Sequence, residues 1–373
     1  MPSQPCFGSS LGSVKPVGPV PRTPGVREVA ALAGVSRQTV SRVVNGHTSI
    51  RDSTRQRVLE AMDQLQFRPN RAARMLSTSR SNTIGILASS ASKLFGPASS
   101  IDAVENAARD AGFFVTIAHI ASLSPDEIAA ALDHLMAQAV EGIVVVAPEA
   151  AVMDSMRQVA IAVPSVTLQG VAQPDARTSV TRHGADAGTA VPVDQAAGVA
   201  VDQTRGSRLA TRHLIDLGHR VIAHVAGPRD WAEAIARRDG FLAELDGTGA
   251  RGIITDPGDW TSASGAAIGA LLARNPEITA VFSSNDQMAL GVMHAFMAAG
   301  RETPADVSVV GFDDIPEAAF FAPPLTTVRQ DFAELGRRCV RMLLAEIDGS
   351  AVQDDTAVEP RLIVRESTSA PVT

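Results

Sequence analysis

The stretch V-R-E-V-A-A-L-A-G-V-S-R-Q-T-V-S-R-V-V-N, Val26 to Asn45, decides how the N-terminal part of this chain folds. Two short amphipathic helical patterns meet at Gly34, which can enter the left-handed region of a tight turn without a Cβ penalty. Ser36 stands where the second pattern opens, and its hydroxyl suits an N-cap that takes an orphan backbone N–H of the first turn. Val40, Val43 and Val44 then fall on an inward face, and Arg37, Gln38, Thr39, Ser41 and Arg42 on an outward one. The pattern predicts a helix-turn-helix whose second helix offers base-reading and phosphate-binding groups to a DNA major groove.

Charge follows the same division. Arg22 to Arg80 carries 11 Arg, no Lys and 4 acidic residues, a balance of +7, whereas the chain from Ser81 onward carries 21 basic and 36 acidic residues, a balance of −15. A basic head on an acidic body is the footprint of a small nucleic-acid module joined to something of another kind. A third head helix is expected from about Ser53 to Leu65, with Val58, Leu59, Met62 and Leu65 closing a core against Ala30, Val40 and Val44. The run F-R-P-N-R-A-A-R-M-L, Phe67 to Leu76, follows. Pro69 can open a new helix but cannot continue the old one. Asn70 to Leu76 is too short to offset its nucleation cost alone, so it needs a partner to form.

From Thr83 the texture changes. Apolar runs at 84–88, 113–118, 142–146, 163–168, 221–226, 280–282 and 307–312 read as buried parallel strands. Helical patterns at 100–110, 125–139, 205–217, 231–245, 262–273 and 286–299 lie between most of them. Alternation of this kind is doubly wound α/β, and the number of units suits two similar halves better than one sheet. Residues 171–198 interrupt it as a polar, Gly/Ala-rich insertion, in which Val191–Val193 could form a short strand. At 373 residues the chain is expected to hold two or three domains. Residues 1–25, rich in Pro, Gly and Ser, read as a disordered leader without the apolar stretch of a signal peptide. Cys6 and Cys339 lie far apart and suggest neither a disulfide framework nor a metal cluster, which suits a reducing cytoplasm. No apolar run reaches membrane-spanning length.

These residues resemble the lactose/galactose-repressor family of bacterial transcription factors, over nearly everything from Val26 to Pro371. In the head the resemblance rests on A-G-V-S-R-Q-T-V-S-R-V-V-N and on R-P-N-R-A-A-R-M-L. In the body it rests on L-G-H-R-V-I-A-H-V-A-G-P (217–228), G-D-W-T-S-A-S-G (258–265), S-N-D-Q-M-A-L-G (284–291), V-G-F-D-D (310–314) and P-P-L-T-T-V-R-Q-D-F (323–332). It implies an all-α helix-turn-helix DNA-binding head with a hinge helix, and an α/β effector domain of two lobes like a periplasmic binding protein. The expected domains are a leader at 1–25, the head at 26–68, hinge helix and linker at 69–82, and an effector-binding and dimerisation domain at 83–370.

The resemblance also implies roles. Ser36, Arg37, Gln38, Thr39, Ser41, Arg42 and Asn45 would lie on DNA. Arg37 and Gln38 would face bases, where Arg can fork onto guanine and Gln onto adenine. Thr39, Ser41, Arg42 and Asn45 would mostly hold phosphates. Asn70, Arg71, Ala73 and Leu76 would be hinge contacts, with Leu76 the apolar wedge that unstacks a base step in the minor groove. In the body Arg237, Asn285 and Asp313 match positions that bind ligand hydroxyls. Trp260 matches an aromatic under a sugar ring. Gln330 and Phe332 lie where the chain crosses between halves, and Leu94 and Pro97 match apolar contacts. Gln169 stands where a sugar-binding carboxylate is expected, and Val146 where a polar strand-end residue is expected. Both departures argue against a galactoside while leaving a sugar as the expected effector. No leucine heptad follows Arg365–Pro371, so a dimer without a tetramer-forming helix is expected.

The expected protein is a cytoplasmic repressor, nucleoid-associated when bound to a palindromic operator, with no cofactor and no metal. Two alternatives stand beside it. A transported-solute binder fits the body but not the basic head. A cytosolic enzyme acting on a sugar or nucleoside would need a catalytic motif; H-E-x-x-H and Walker loops are missing, and G-x-S-x-G is missing from the α/β body, its one match being Gly8–Gly12 in the leader.

Overall fold

The computed structural model describes residues 24–45, 47, 49–68, 75, 80–89, 94–120, 124–156, 159–168, 191–192, 197–350 and 357–372. Most of the expected leader and of the 171–198 insertion lie outside these residues, as do Gln169 and the hinge residues Asn70, Arg71, Ala73 and Leu76. The chain divides into two compact units, Met1–Ser81 and Asn82–Thr373.

In the first unit, α1 (Val26–Ala33), α2 (Arg37–Val44) and α3 (Asp52–Gln64) enclose a small core. Gly34 adopts φ 64°, which lets α1 stop at Ala33 and α2 begin at Arg37. Ser36 Oγ accepts the Thr39 N–H at 3.1 Å, so the cap forms as its position predicts. Val29, Val40 and Val58 are fully buried, with Ala30, Val43, Ala61 and Phe67 around them and Val44, Met62 and Leu65 at the edge. Leu59 does not join them. It is 46% exposed, because the stripe of α3 that meets the other helices runs through Val58, Ala61 and Leu65 and leaves Leu59 on the flank.

The second unit begins with β1 (Thr83–Ala88), α4 (Phe95–Asp110), β2 (Phe114–His119), α5 (Pro125–Ala137), β3 (Gly142–Val146), α6 (Ala150–Met156), β4 (Ala160–Ile161), β5 (Ser165–Leu168), β6 (Val191–Pro192) and β7 (Ala197–Val201). It continues through α7 (Gln203–Asp216), β8 (Val221–Val225), α8 (Ala232–Leu245), β9 (Arg251–Ile254), α9 (Ser262–Leu272), β10 (Ala280–Ser283), α10 (Asp286–Ala298), β11 (Ser308–Asp313) and β12 (Thr326–Arg329). It closes with α11 (Phe332–Ile347), β13 (Ala357–Val358) and β14 (Arg361–Ile363).

Two six-stranded sheets result, in the orders β13-β7-β5-β3-β1-β2 and β14-β12-β11-β10-β8-β9. Every pairing in them is parallel except that of β14 with β12. The halves are therefore not consecutive in sequence. The chain passes from the first sheet to the second after Val201, returns after Arg329, and passes over again after Val358. α11 belongs to the first lobe although it follows the second, because Leu335, Cys339, Val340 and Leu343 pack among Ile84, Val104 and Val144. Antiparallel β4 and β6 form a separate ribbon, which gives Val191 its short strand.

The run at 113–118 is corrected. It forms β2 at the sheet edge, where Phe114 is 54% exposed, so an apolar strand here is only half covered. Helix α4 begins five residues earlier than its periodicity suggested, and β7, β9, β12, α6 and α11 were not legible as elements.

Candidate nucleic-acid interface and inter-lobe cleft

The recognition helix presents what its sequence pattern predicts. Arg37, Gln38 and Arg42 are exposed on α2. Ser36 is exposed too, but its hydroxyl is engaged with Thr39, 2.9 Å from Thr39 Oγ1 as well as accepting its N–H. Thr39, Ser41 and Asn45 are half-buried, and Asn45 closes α2 with Nδ2 3.5 Å from Ser41 Oγ. The polar face is thus two exposed Arg and one Gln held rigidly over a valine core, with shorter hydroxyl and amide groups below.

In the second unit a cavity of about 260 Å³ lies between the lobes. Its polar wall carries Arg237, Asn285, Asp313 and Gln330, and its apolar wall Leu94, Pro97, Trp260 and Phe332. Eight of the nine effector residues expected from the sequence therefore line one cavity, and the ninth, Gln169, is outside the described residues. Val146 and Leu168 add apolar surface from the first sheet. Leu94 and Phe95 of the first lobe also pack against the core of the second.

The polar wall is a ring of buried side chains. Arg237 Nε donates to Gln203 Oε1 at 2.9 Å, and Gln203 Nε2 donates to Gln330 Oε1 at 2.8 Å. Gln330 Nε2 donates to Asp313 Oδ1 at 2.7 Å, and that oxygen lies 3.6 Å from Arg237 Nη2. Arg237 also donates through Nη1 to the Ser284 carbonyl, and its guanidinium sits 3.9 Å from the centroid of the Phe312 ring. Each member fixes the next, so the hydrogen-bonding groups that face the cavity are preorganised.

Local sequence explains the placement. Asn285 is the N-cap of α10, with Oδ1 accepting the Met288 N–H at 2.9 Å, while Nδ2 donates to Trp260 O at 3.0 Å and Gln287 Oε1 at 2.8 Å. It is a cap and a cavity-lining residue at once. Trp260 (φ 72°) and Asp313 (φ 113°) hold left-handed backbone conformations that non-glycine residues rarely keep. Such strain concentrates where side-chain direction matters more than local comfort. Gly227 lies under the Trp260 ring, where any Cβ would collide with it.

Electrostatics are unbalanced toward acid. Burial pushes Asp313 up to about 6 despite Arg237 and the Gln330 amide, which favour its charged form. Burial pushes Glu233 up to about 7, against its own backbone N–H and the field of Arg237, with Glu149 and Asp313 adding repulsion. Burial also drives His224 down to about 3, so it is a neutral ring stacked between Phe241 and Phe282 behind Ser284. Glu233 Oε2 and Trp260 Nε1 are buried polar atoms with no hydrogen-bond partner among the described residues.

Sequence reasoning missed Gln203, Glu233 and Trp231 among the lining residues. Gln203 opens α7 just after a strand that was not anticipated. Glu233 stands one helical turn before Arg237, and that i, i+4 spacing was the available signal. No group of three or more His, Cys, Asp or Glu among the described residues could hold a metal ion. No described helix is long and apolar enough to cross a membrane.

A basic helix-turn-helix joined to a two-lobed α/β body defines a class, the DNA-binding transcriptional regulators. Residues 26–70 match bacterial regulatory proteins of the lacI family, and residues 211–368 match the periplasmic binding protein-like domain. The lactose operon repressor of Escherichia coli (strain K12) is 35% identical over 347 residues, covering 93% of this chain and 91% of that protein. The HTH-type transcriptional regulator CelR of Thermobifida fusca is 35% identical over 360 residues, covering 93% and 98%. Among solved structures, the lac repressor dimer bound to operator and the anti-inducer ONPF is similar with TM-score 0.73 and 31% identity, over 94% of this chain and all of that one. A CelR–cellobiose complex is similar with TM-score 0.63 and 32% identity, over 92% and 99%. This chain belongs to the lacI family of bacterial regulatory proteins.

Proposed function

We propose that this regulator is a homodimeric repressor which binds a palindromic operator in the cytoplasm, and that a small sugar held between its lobes sets its affinity for DNA. The observation that carries the reading is the cavity itself. Its lining joins a ring of fixed donors and acceptors to apolar surface from Leu94, Pro97 and Phe332 and the indole of Trp260. A sugar ring has the matching character, with hydroxyls at its rim and C–H groups on its face. Related proteins have been captured with operator and ONPF and with cellobiose, which supports both the partner and the ligand class.

In this reading Arg237, Asp313, Asn285 and Gln330 take ligand hydroxyls, Trp260 packs on the ring, and Leu94, Pro97 and Phe332 cover it. Gln169 keeps an amide where a carboxylate would be expected. Arg37 and Gln38 read base edges, while Ser36, Thr39, Ser41, Arg42 and Asn45 fix the helix on the backbone. Residues 69–82 form the hinge and linker, with Asn70, Arg71, Ala73 and Leu76 on the operator centre. The body transmits a signal and catalyses nothing. One recognition helix reads too few bases alone, so two-fold related half-sites supply the rest. The test is selection from a randomised DNA pool, followed by competition with a saccharide panel. A palindrome released or tightened by a saccharide is expected. An asymmetric site, or a symmetric one indifferent to every compound that binds the body, contradicts the proposal.

A further inference from the structure

The ring of side chains accounts for Arg237, Asp313, Gln203 and Gln330, but it leaves Glu233 without a function. Glu233 lines the cavity, and its Oε2 is buried without a partner among the described residues. The nearest cation on its own helix is Arg237, one turn later. Glu before Arg at i, i+4 is the favoured order for an intrahelical pair. That pair does not form, because Arg237 is turned to Gln203, Ser284 and Asp313. Arg237 is also the only cation among the described residues that line the cavity.

A second carboxylate approaches from the other lobe. Glu149 follows β3, and its backbone bridges that of Trp231, while the Ala232 N–H donates to Pro148 O at 3.4 Å. This contact brings Glu149 into the field of Glu233, two residues past Trp231. Glu149 Oε2 is likewise buried without a partner among the described residues. An independent observation points to a ligand at the same cavity. Trp260 is 6% exposed, stands on the cavity wall 5.2 Å from Trp231 between ring centroids, and has no acceptor for its indole N–H among the described residues. A buried polar group without a partner is costly, and several at one cavity mark where a bound molecule supplies the missing atoms.

We propose that Glu233, with Glu149 of the opposite lobe, forms a subsite for a protonated amino group on the effector, so that the ligand is an amino sugar or a comparable amine-bearing polyol. This rests on the reading of the cleft as the sugar site and narrows it. An ammonium offers three N–H donors to two carboxylate oxygens that have none, whereas a hydroxyl offers one. It also balances a cavity in which Asp313 and Glu233 face a single guanidinium, with Glu149 beside the lining at the Trp231 bridge. The Trp260 N–H is left for a neighbouring hydroxyl oxygen. Because the two acids come from different lobes, the same group that binds them holds the cleft shut.

Calorimetric titration of the full-length protein tests this. The probes are glucosamine, 3-amino-3-deoxyglucose, 6-amino-6-deoxyglucose and the β-1,4 dimer of glucosamine, each beside its neutral parent, glucose or cellobiose. The best amine is expected to bind wild type at least about tenfold more tightly than its parent, the size of one charge-assisted hydrogen bond. Glu233→Gln should reduce that preference below about threefold. Glu149→Gln should reduce it partially and serves if the first variant fails to fold. In buffers of different ionisation enthalpy near pH 7, amine binding to wild type should release about half a proton per site as Glu233 ionises. Binding of glucose or cellobiose with no amine preferred overturns the inference and leaves the sugar reading standing. An amine preference that survives in both variants overturns it as well. Binding of no probe, neutral or amine, overturns both.

Discussion

Gln203 and Gln330 stand on two different crossings of the chain between the lobes, and a 2.8 Å hydrogen bond joins their side chains. Gln203 follows the first passage after Val201, and Gln330 follows β12 just before the chain returns. Each also holds one member of the Arg237–Asp313 pair. The cavity and the inter-lobe connections therefore share one hydrogen-bonded ring. A ligand that competes for Arg237 or Asp313 perturbs the connections directly, which gives the two lobes a route to change their angle.

Gln203→Leu should therefore do two things. It leaves Arg237 Nε and Gln330 Oε1 buried without partners, at a cost of about 1–3 kcal/mol in body stability. It should also weaken saccharide binding by about tenfold, since the donors facing the cavity lose their fixed geometry. A double-mutant cycle with Gln330→Leu measures the coupling. Additive losses in denaturant unfolding and in binding would show that the two amides act separately.

Asp313→Asn keeps the shape of the side chain and removes its charge. Saccharide affinity should fall at least about tenfold, as a charge-assisted hydrogen bond becomes a neutral one. Thermal unfolding should move by only a few degrees, because Gln330 can still donate to the amide oxygen. Calorimetry and a thermal melt decide. Undiminished affinity would place the ligand elsewhere.

The acid excess of the cleft predicts a pH dependence. Glu233 has a folded-state pKa of about 7 against an ordinary value of 4.5, so the folded state binds the proton more tightly. Its contribution to stability is fully present below about 4.5 and is lost as pH rises through about 7. Asp313, raised to about 6, acts in the same direction over a lower window. Glu233→Gln should therefore stabilise the ligand-free body at pH 8.5 relative to wild type, by up to about 3 kcal/mol, and make little difference at pH 4. Urea unfolding at the two pH values measures this. Equal differences at both would show that Glu233 does not carry an uncompensated charge.

On the head, Arg37→Ala should lower discrimination between operator and random DNA by about 1–3 kcal/mol, the value of one good bidentate base contact. Arg42→Ala should weaken both kinds of DNA alike and reduce the slope of log affinity against log salt by roughly one. Fluorescence anisotropy over a range of salt concentrations separates the two. Equal losses on operator and random DNA for Arg37→Ala would remove it from base reading.

Much of this was legible in the sequence because local rules suffice for it. Gly34 and Ser36 declare a turn and a cap from their own chemistry, and the valine spacing sets the inward face of α2. The buried parallel strands 142–146 and 307–312 declare themselves by unbroken apolar runs. Phe114 and Leu59 misled for the opposite reason. Apolar character says nothing about whether a neighbour arrives, and one lies on a sheet edge while the other lies beside the packed stripe. Arg237, Asp313 and Gln330 were found through motif resemblance. Gln203 was not, because its role depends on a crossing that joins residues 127 positions apart. Glu233 was passed over because an acid one turn before an arginine reads as an ordinary surface pair, and only the buried geometry shows that the pair is not made.

In the proposed function one cleft controls one DNA-binding head. Differential affinity for two states is required of any ligand that acts in this way, and linkage makes the effect reciprocal. The most direct measurement is calorimetric titration of the full-length protein with the tightest-binding saccharide of the amino and neutral panel, with and without saturating operator DNA. Two different ligand affinities are expected, whose ratio equals the change in operator affinity that the same saccharide produces in a DNA titration. Equal ligand affinities in both titrations, with the compound seated in the cleft, would contradict it.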